Sequence, residues 1–237
     1  MKIIQDEGIV LRKRQLKEKD ELVTVLTKNH GKMMFVVPGS RDPRSKKAGI
    51  LELCNTIGFQ VRESKSRFPY LNQVKLLKSR GFHIVEEDST LDEFYRALGM
   101  LKLTDQFVQE EHNVNEVYAL LSQGLDGVIL NVSEMWYWIH LLDFLGFLPD
   151  FKICVGCHEK PDSSFDLVFC AEHKGFAHRK CLSMNTETVQ NTTVSISFDL
   201  LKIVSFIQLY SLSEVGRLSM DQKIFDQMKE LFDTVKV

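Results

Sequence analysis

Leu22-Val-Thr-Val-Leu-Thr-Lys28, Asn29-His-Gly-Lys32 and Met33-Met-Phe-Val-Val37 read as strand, turn and strand. The first run is rich in β-branched residues, as strands are. The turn carries a reversal signal, and Pro38-Gly39 ends the return strand. Residues 21–37 are therefore a β-hairpin. Outward from it, residues 7–14 run from apolar into basic as another strand. Ile50 to Arg62 and Tyr70 to Lys78 read as two more, separated by Glu63 to Pro69. Five strands in about 75 residues, with no long helix between them, predict a small closed barrel of the OB type. An SH3-like barrel fits the strand count nearly as well.

The charge is divided along the chain. Residues 1–80 hold 18 Lys and Arg against 8 Asp and Glu, a net of +10. Residues 81–237 hold 12 against 24, a net of −12. The overall −2 hides this division. A basic barrel joined to an acidic remainder points to a polyanion as the barrel's partner.

Beyond Gly81 the period becomes helical. Residues 91–111, 114–124 and 132–147 carry apolar residues at helix spacing, and Asp88-Ser-Thr-Leu-Asp-Glu supplies capping groups before the first. Pro149 stops the third, and its aromatics face a partner helix rather than a ligand. Ser197 to Leu212 and Met220 to Val235 are two further helices.

Between these helices lies Cys154-Val-Gly-Cys157, then twenty residues, then His178-Arg-Lys-Cys181. Two pairs with two residues between each are the spacing of a tetrahedral zinc site. Four protein ligands leave no position for water, so such a site holds structure and performs no chemistry. Cys170-Ala-Glu-His173 has the same spacing and rivals the second pair. The expected fold is thus α+β and multi-domain. An OB-fold barrel spans 1–80, a helical domain 81–149 and 183–237, and a zinc-binding module 150–182.

Other chemistry lacks its motifs. No phosphate-binding Gly-x-x-x-x-Gly-Lys-Ser/Thr loop occurs, and no Gly-x-Ser-x-Gly elbow. His83, His112 and His140 stand isolated, and Glu86-Glu87 reads as a solvated face. There is no apolar run of transmembrane length and no signal-peptide core at the start, so the expected place is the cytoplasm, associated with the nucleoid. A non-enzymatic role is expected.

Several joined segments resemble the RecO family of bacterial recombination mediators, over essentially the full length. They are Glu7-Gly-Ile-Val-Leu11, Pro38-Gly-Ser-Arg-Asp-Pro-Arg-Ser-Lys46, and Leu142-Asp-Phe-Leu-Gly-Phe-Leu-Pro149 directly before the first Cys pair. The fourth is Phe169-Cys170-Ala-Glu-His-Lys174-Gly175-Phe-Ala-His178-Arg-Lys-Cys181, where His178 stands in place of the family's Cys and Lys174 in place of a Gly. The resemblance implies binding of single- and double-stranded DNA and annealing of complementary strands. It also implies help to RecA in replacing single-stranded DNA-binding protein, whose C-terminal tail would bind the helical domain, with RecR as partner.

The cations expected at DNA are Arg12, Arg14 and Lys32 on the barrel, then Arg41, Arg44, Lys46 and Lys47 in the loop. Arg62, Lys65 and Arg67 follow, with Phe68 or Tyr70 to stack a base. The rival functions are a zinc-stabilised RNA-binding module and a zinc-dependent nucleic-acid enzyme.

Overall fold

A computed structural model describes residues 2–64, 67–80, 88–109, 115–128, 130–164, 166–182, 193–218 and 220–234. The chain forms two compact units, Met1–Tyr137 and Trp138–Val237. The barrel opens the first. It contains β1 (Ile3–Gln15), β2 (Glu21–Thr27), β3 (Lys32–Val37), a short helix α1 (Lys47–Ile50), β4 (Thr56–Arg62) and β5 (Tyr70–Lys78), closed in the order β1-β2-β3-β5-β4. This is the OB-fold barrel. Val10, Val23, Val25, Phe35, Val37, Ile57, Phe59, Val61 and Leu71 fill its interior, with Leu51 added from the turn after α1.

β1 is long enough to pair with β4 through its first half and β2 through its second. The two pairings overlap at Gly8 and Ile9, and at Gly8 a Cβ would meet Val25 Cγ1 at 2.4 Å and the Leu26 carbonyl oxygen at 2.8 Å. Only glycine allows that approach. The residue pattern predicts a strand from Ile50 to Arg62. Instead residues 47–50 coil into α1 and the strand begins at Thr56. Cys54, at φ +69°, turns the chain between them.

β2 is buried on both sides. Val23 and Val25 point inward, yet the alternate residues Leu22, Thr24 and Leu26 are also buried. Ile9 and Leu11 of β1 are buried beside them. Helix α2 (Asp88–Phe107) packs on β1, and α3 (Asn115–Asp126) packs on β1 and β2. Each large apolar side chain so covered contributes about 1.5–3 kcal/mol.

Arg80 fastens α3 to the end of β5. Its buried guanidinium donates to the Cys54 carbonyl (3.1 Å), Thr56 Oγ1 (2.7 Å), Ser122 Oγ (2.9 Å) and Asp126 Oδ1 (2.9 Å). Burial works against the Asp126 carboxylate, but Lys78 and Arg80 outweigh it and hold its pKa below the ordinary value. At the β2–β3 turn, the buried Asp6 carboxylate accepts from the amides of Glu7 (2.8 Å) and Asn29 (3.0 Å) and meets His30 Nδ1 at 2.7 Å.

In the second unit a three-stranded sheet runs in the order β7-β6-β8, from β6 (Leu167–Cys170), β7 (Gly175–His178) and β8 (Thr193–Ile196). These strands were not anticipated within or beside the metal segment. Helix α4 (Ser133–Phe144) carries the boundary between the units, and Gly146 (φ +73°) turns the chain after it, ahead of Pro149. Past the short α5 (Arg179–Leu182), α6 (Phe198–Leu209) begins at Ser197, whose Oγ accepts from the Leu200 amide at 3.1 Å. α7 (Leu212–Val215) and α8 (Gln222–Thr234) follow, with Met228, Leu231 and Phe232 buried. Phe232 meets Trp138 edge-on at 5.0 Å. No helix among the described residues is long and apolar enough to cross a membrane. His83, Glu86, Glu87 and His112 lie outside the described residues.

Candidate metal centre and nucleic-acid interface

The sulfurs of Cys154, Cys157 and Cys181 and a ring nitrogen of His178 all lie within 4.8 Å of one another. His178 Nδ1 stands 3.3 Å from Cys157 Sγ and 3.9 Å from Cys181 Sγ. Zinc–sulfur bonds of 2.3 Å at tetrahedral angles place neighbouring donors about 3.8 Å apart. The four donors therefore have the spacing and chemistry of a structural zinc shell, and they could hold a metal ion.

The local chain builds this arrangement. Cys154 Sγ accepts from the amides of Gly156 (3.4 Å) and His178 (3.4 Å). Burial opposes its thiolate, but amide donation from Cys157, His178 and Gly156 prevails and lowers its pKa. Burial raises the Cys181 thiol to about 11, with the neighbouring Cys157 and Cys154 sulfurs adding to the shift. A Cβ at Gly156 would come within 2.7 Å of Cys181 Cβ, so glycine lets the two halves close. The Val155 amide donates to the Phe176 carbonyl at 2.9 Å and ties the first pair to β7.

Cys170 and His173 fall outside this group. Cys170 is buried on β6 opposite Gly175, and His173 is exposed in the turn. Lys174 keeps a positive φ of 48°. A non-glycine residue there costs about 1–3 kcal/mol.

The candidate DNA contacts gather at one rim of the barrel. Val37, at the end of β3, lies opposite Glu21 at the start of β2. The loop 38–46 thus leaves beside the β1–β2 turn. The Gly39 amide donates to Asp20 Oδ1 (3.0 Å), the Arg41 amide to the Lys19 carbonyl (3.2 Å) and Arg41 Nη1 to the Glu18 carbonyl (3.1 Å). The Val36 amide donates to the Pro69 carbonyl at 2.9 Å, which brings the β4–β5 loop to the same rim. Three loops so joined carry Arg41, Arg44, Lys46, Lys47, Arg62 and Arg67, with Arg14 just inside. Lys65 lies outside the described residues.

The β1–β2 turn adds Lys17 and Lys19, which are not among the cations expected at DNA from the sequence. Only the strand register, set by distant pairings, reveals that they adjoin the loop. Among the described residues, none of these rim cations forms an ion pair with a carboxylate. Arg67 lies over the Phe68 ring at 5.2 Å. Acids stand among the cations, but Asp20 and Asp42 are engaged with backbone amides.

Arg12 and Lys32 are placed elsewhere. Lys32 sits at the other end of β3, opposite Leu26. Its ammonium donates to the Asp105 carbonyl at 2.6 Å and pairs with Asp105 Oδ1 at 3.4 Å. Arg12 Nη1 reaches Asp105 Oδ2 at 3.1 Å. Both cations grip α2, and the Lys32 side chain is only 13% exposed. Lys32→Ala is expected to cost about 1–3 kcal/mol of stability, as loss of a charged hydrogen bond does, while the salt dependence of DNA binding stays unchanged. Thermal melting alongside oligonucleotide titrations checks both.

Comparison with known proteins covers both units. The family profile described as recombination protein O N terminal matches residues 1–80, and that described as recombination protein O C terminal matches residues 89–235. A protein of Chloroherpeton thalassium called DNA repair protein RecO is 25% identical over 98% of this chain and 91% of its own length. A protein of the same description from Bacillus cytotoxicus is 25% identical over 96% of this chain and 88% of its own. One from Desulforamulus reducens is 24% identical over 98% and 87%.

Proposed function

The chain belongs to the RecO family, and from that premise we propose that it serves DNA repair as a recombination mediator. It binds single- and double-stranded DNA through backbone phosphates, anneals complementary strands without ATP, and promotes RecA loading onto DNA coated by single-stranded DNA-binding protein. RecR, the RecA filament and the tail of that coating protein are its partners. The ion in the Cys154, Cys157, His178 and Cys181 centre is zinc, and its role is structural. The working division keeps 1–80 for DNA, 150–182 for the metal and 81–149 with 183–237 as a helical domain, to which β8 is an exception.

One observation carries this reading: three loops bring Arg41, Arg44, Lys46, Lys47, Arg62, Arg67, Lys17 and Lys19 to one rim, with no carboxylate partner among the described residues. Phosphates bind such a rim and release their condensed counterions, so affinity falls steeply with salt. Charge neutralisation lets two strands approach, and phosphate contacts at the rim do not themselves occupy the pairing edges of the bases.

The test is annealing of two complementary labelled oligonucleotides. The chain is expected to accelerate annealing at low salt, to lose the effect at high salt, and to need no nucleotide. No acceleration at any salt concentration sinks the reading. A marked preference for structured RNA over single-stranded DNA transfers the rim to RNA instead.

A further inference from the structure

Resting on the DNA reading above, we propose that the open face of β1, β4 and β5 is a binding strip for unpaired bases, with Gln5, Gln60 and Gln73 as its contacts. OB barrels ordinarily offer a face centred on β2 and β3, with flanking loops, to single strands. Here the outer side of β2 is buried, with Leu22, Thr24 and Leu26 covered. Arg12 and Lys32 hold α2 against that side of the barrel through Asp105. A strand arriving at the rim needs another path along the barrel.

The β1–β4–β5 side provides one. Gln5 pairs with Gln60, and Gln60 with Gln73, so three amides form one row across three strands. Their neighbours Ile57, Phe59 and Val61 on β4 point inward, which turns the row outward. The adjoining row is Glu7, Gly58 and Lys75. Lys75 lies across Gly58, where a Cβ would come within 2.9 Å of Lys75 Cε. Together they line a groove of about 670 Å³, flanked by Lys28 and Asn29.

The charges suit a polyanion. Lys28 neutralises Glu7 at 2.7 Å, and the Asp6 carboxylate is buried among its own hydrogen bonds. Lys75 has no carboxylate partner among the described residues. Arg62 follows Gln60 on the same side of β4, so the row is continuous with the rim.

Amides suit bases. Each offers two donors and an acceptor that match any unpaired base edge. Asn72 Nδ2 donates to Gln60 Oε1 at 2.7 Å, which leaves the Gln60 amino group to donate outward. Neutral hydrogen bonds release no counterions, and they yield readily when a complementary strand offers base pairs.

The experiment titrates a labelled mixed-sequence strand, and its duplex, with the full chain over a salt series. The variant Gln5→Ala/Gln60→Ala/Gln73→Ala is expected to bind the single strand about tenfold or more weakly. Its salt slope and duplex affinity match those of the wild type. Gln5→Ala/Gln73→Ala, which keeps the Gln60–Asn72 bond, shows a smaller loss of the same kind, at an unchanged melting temperature. Unchanged single-strand affinity in both variants overturns the strip, as does a loss that arrives with a flattened slope or equally for duplex. If the wild type itself shows no salt-dependent binding, the rim reading fails and the strip with it.

Discussion

Cys154→Ser protein is expected to lose its metal and the order of the segment around it. Cys154 is fully buried and accepts two backbone amides, so its sulfur organises both halves of the centre. Structural zinc contributes on the order of 10 kcal/mol to small domains that depend on it. The variant should therefore show near-zero zinc by elemental analysis and rapid proteolysis within 150–182. Oligonucleotide binding at the rim should keep the wild-type salt slope. His178→Cys, which makes the set four sulfurs, should retain zinc, and so should Cys170→Ala. Zinc retained by His178→Ala but lost from Cys170→Ala would move the second half of the centre to the rival pair, and zinc retained by Cys154→Ser would take Cys154 out of the shell.

Reversing Arg41, Arg44, Lys46 and Lys47 to Glu should have the largest effect on DNA. Each phosphate contact contributes about 0.7 to the single-strand salt slope. Four lost contacts flatten that slope by about 3, and annealing disappears with them. Fluorescence anisotropy over a salt series reads the slope directly. The fold should survive, because the loop is fixed mainly through its backbone, by Gly39 on Asp20 and Arg41 on Lys19. A slope equal to that of the wild type would sink the loop assignment while leaving the other rim cations untouched.

The hairpin at 21–37 and the metal pairs were legible because both depend on local spacing. A turn signal between β-branched runs specifies a hairpin, and two Cys-x-x-Cys-like turns specify a knuckle site. What sequence could not show were partnerships across distance. Lys32 and Arg44 look alike on the page. One is committed to Asp105, seventy-three residues away, and the other faces solvent. Lys17 and Lys19 join the rim only through the register of β1 on β2. Gln5, Gln60 and Gln73 meet only when the barrel closes. One signal was available and passed over. Leu22 to Leu26 has almost no polar alternation, the mark of a strand covered on both sides. A freely exposed barrel wall would have carried polar residues at 22 and 26.

That strand also bears on how such a protein can be inherited in pieces. The profile matching the N-terminal part stops at residue 80, while the compact unit continues to Tyr137. A gene fragment ending at the profile border would carry β2 with Leu22 and Leu26 uncovered, beside Ile9 and Leu11 of β1. It would be a barrel with a greasy flank, prone to stick to its copies. This barrel is therefore a poor candidate for shuffling among unrelated proteins. Its lineage has to carry α2 and α3 along with it, as one unit of descent.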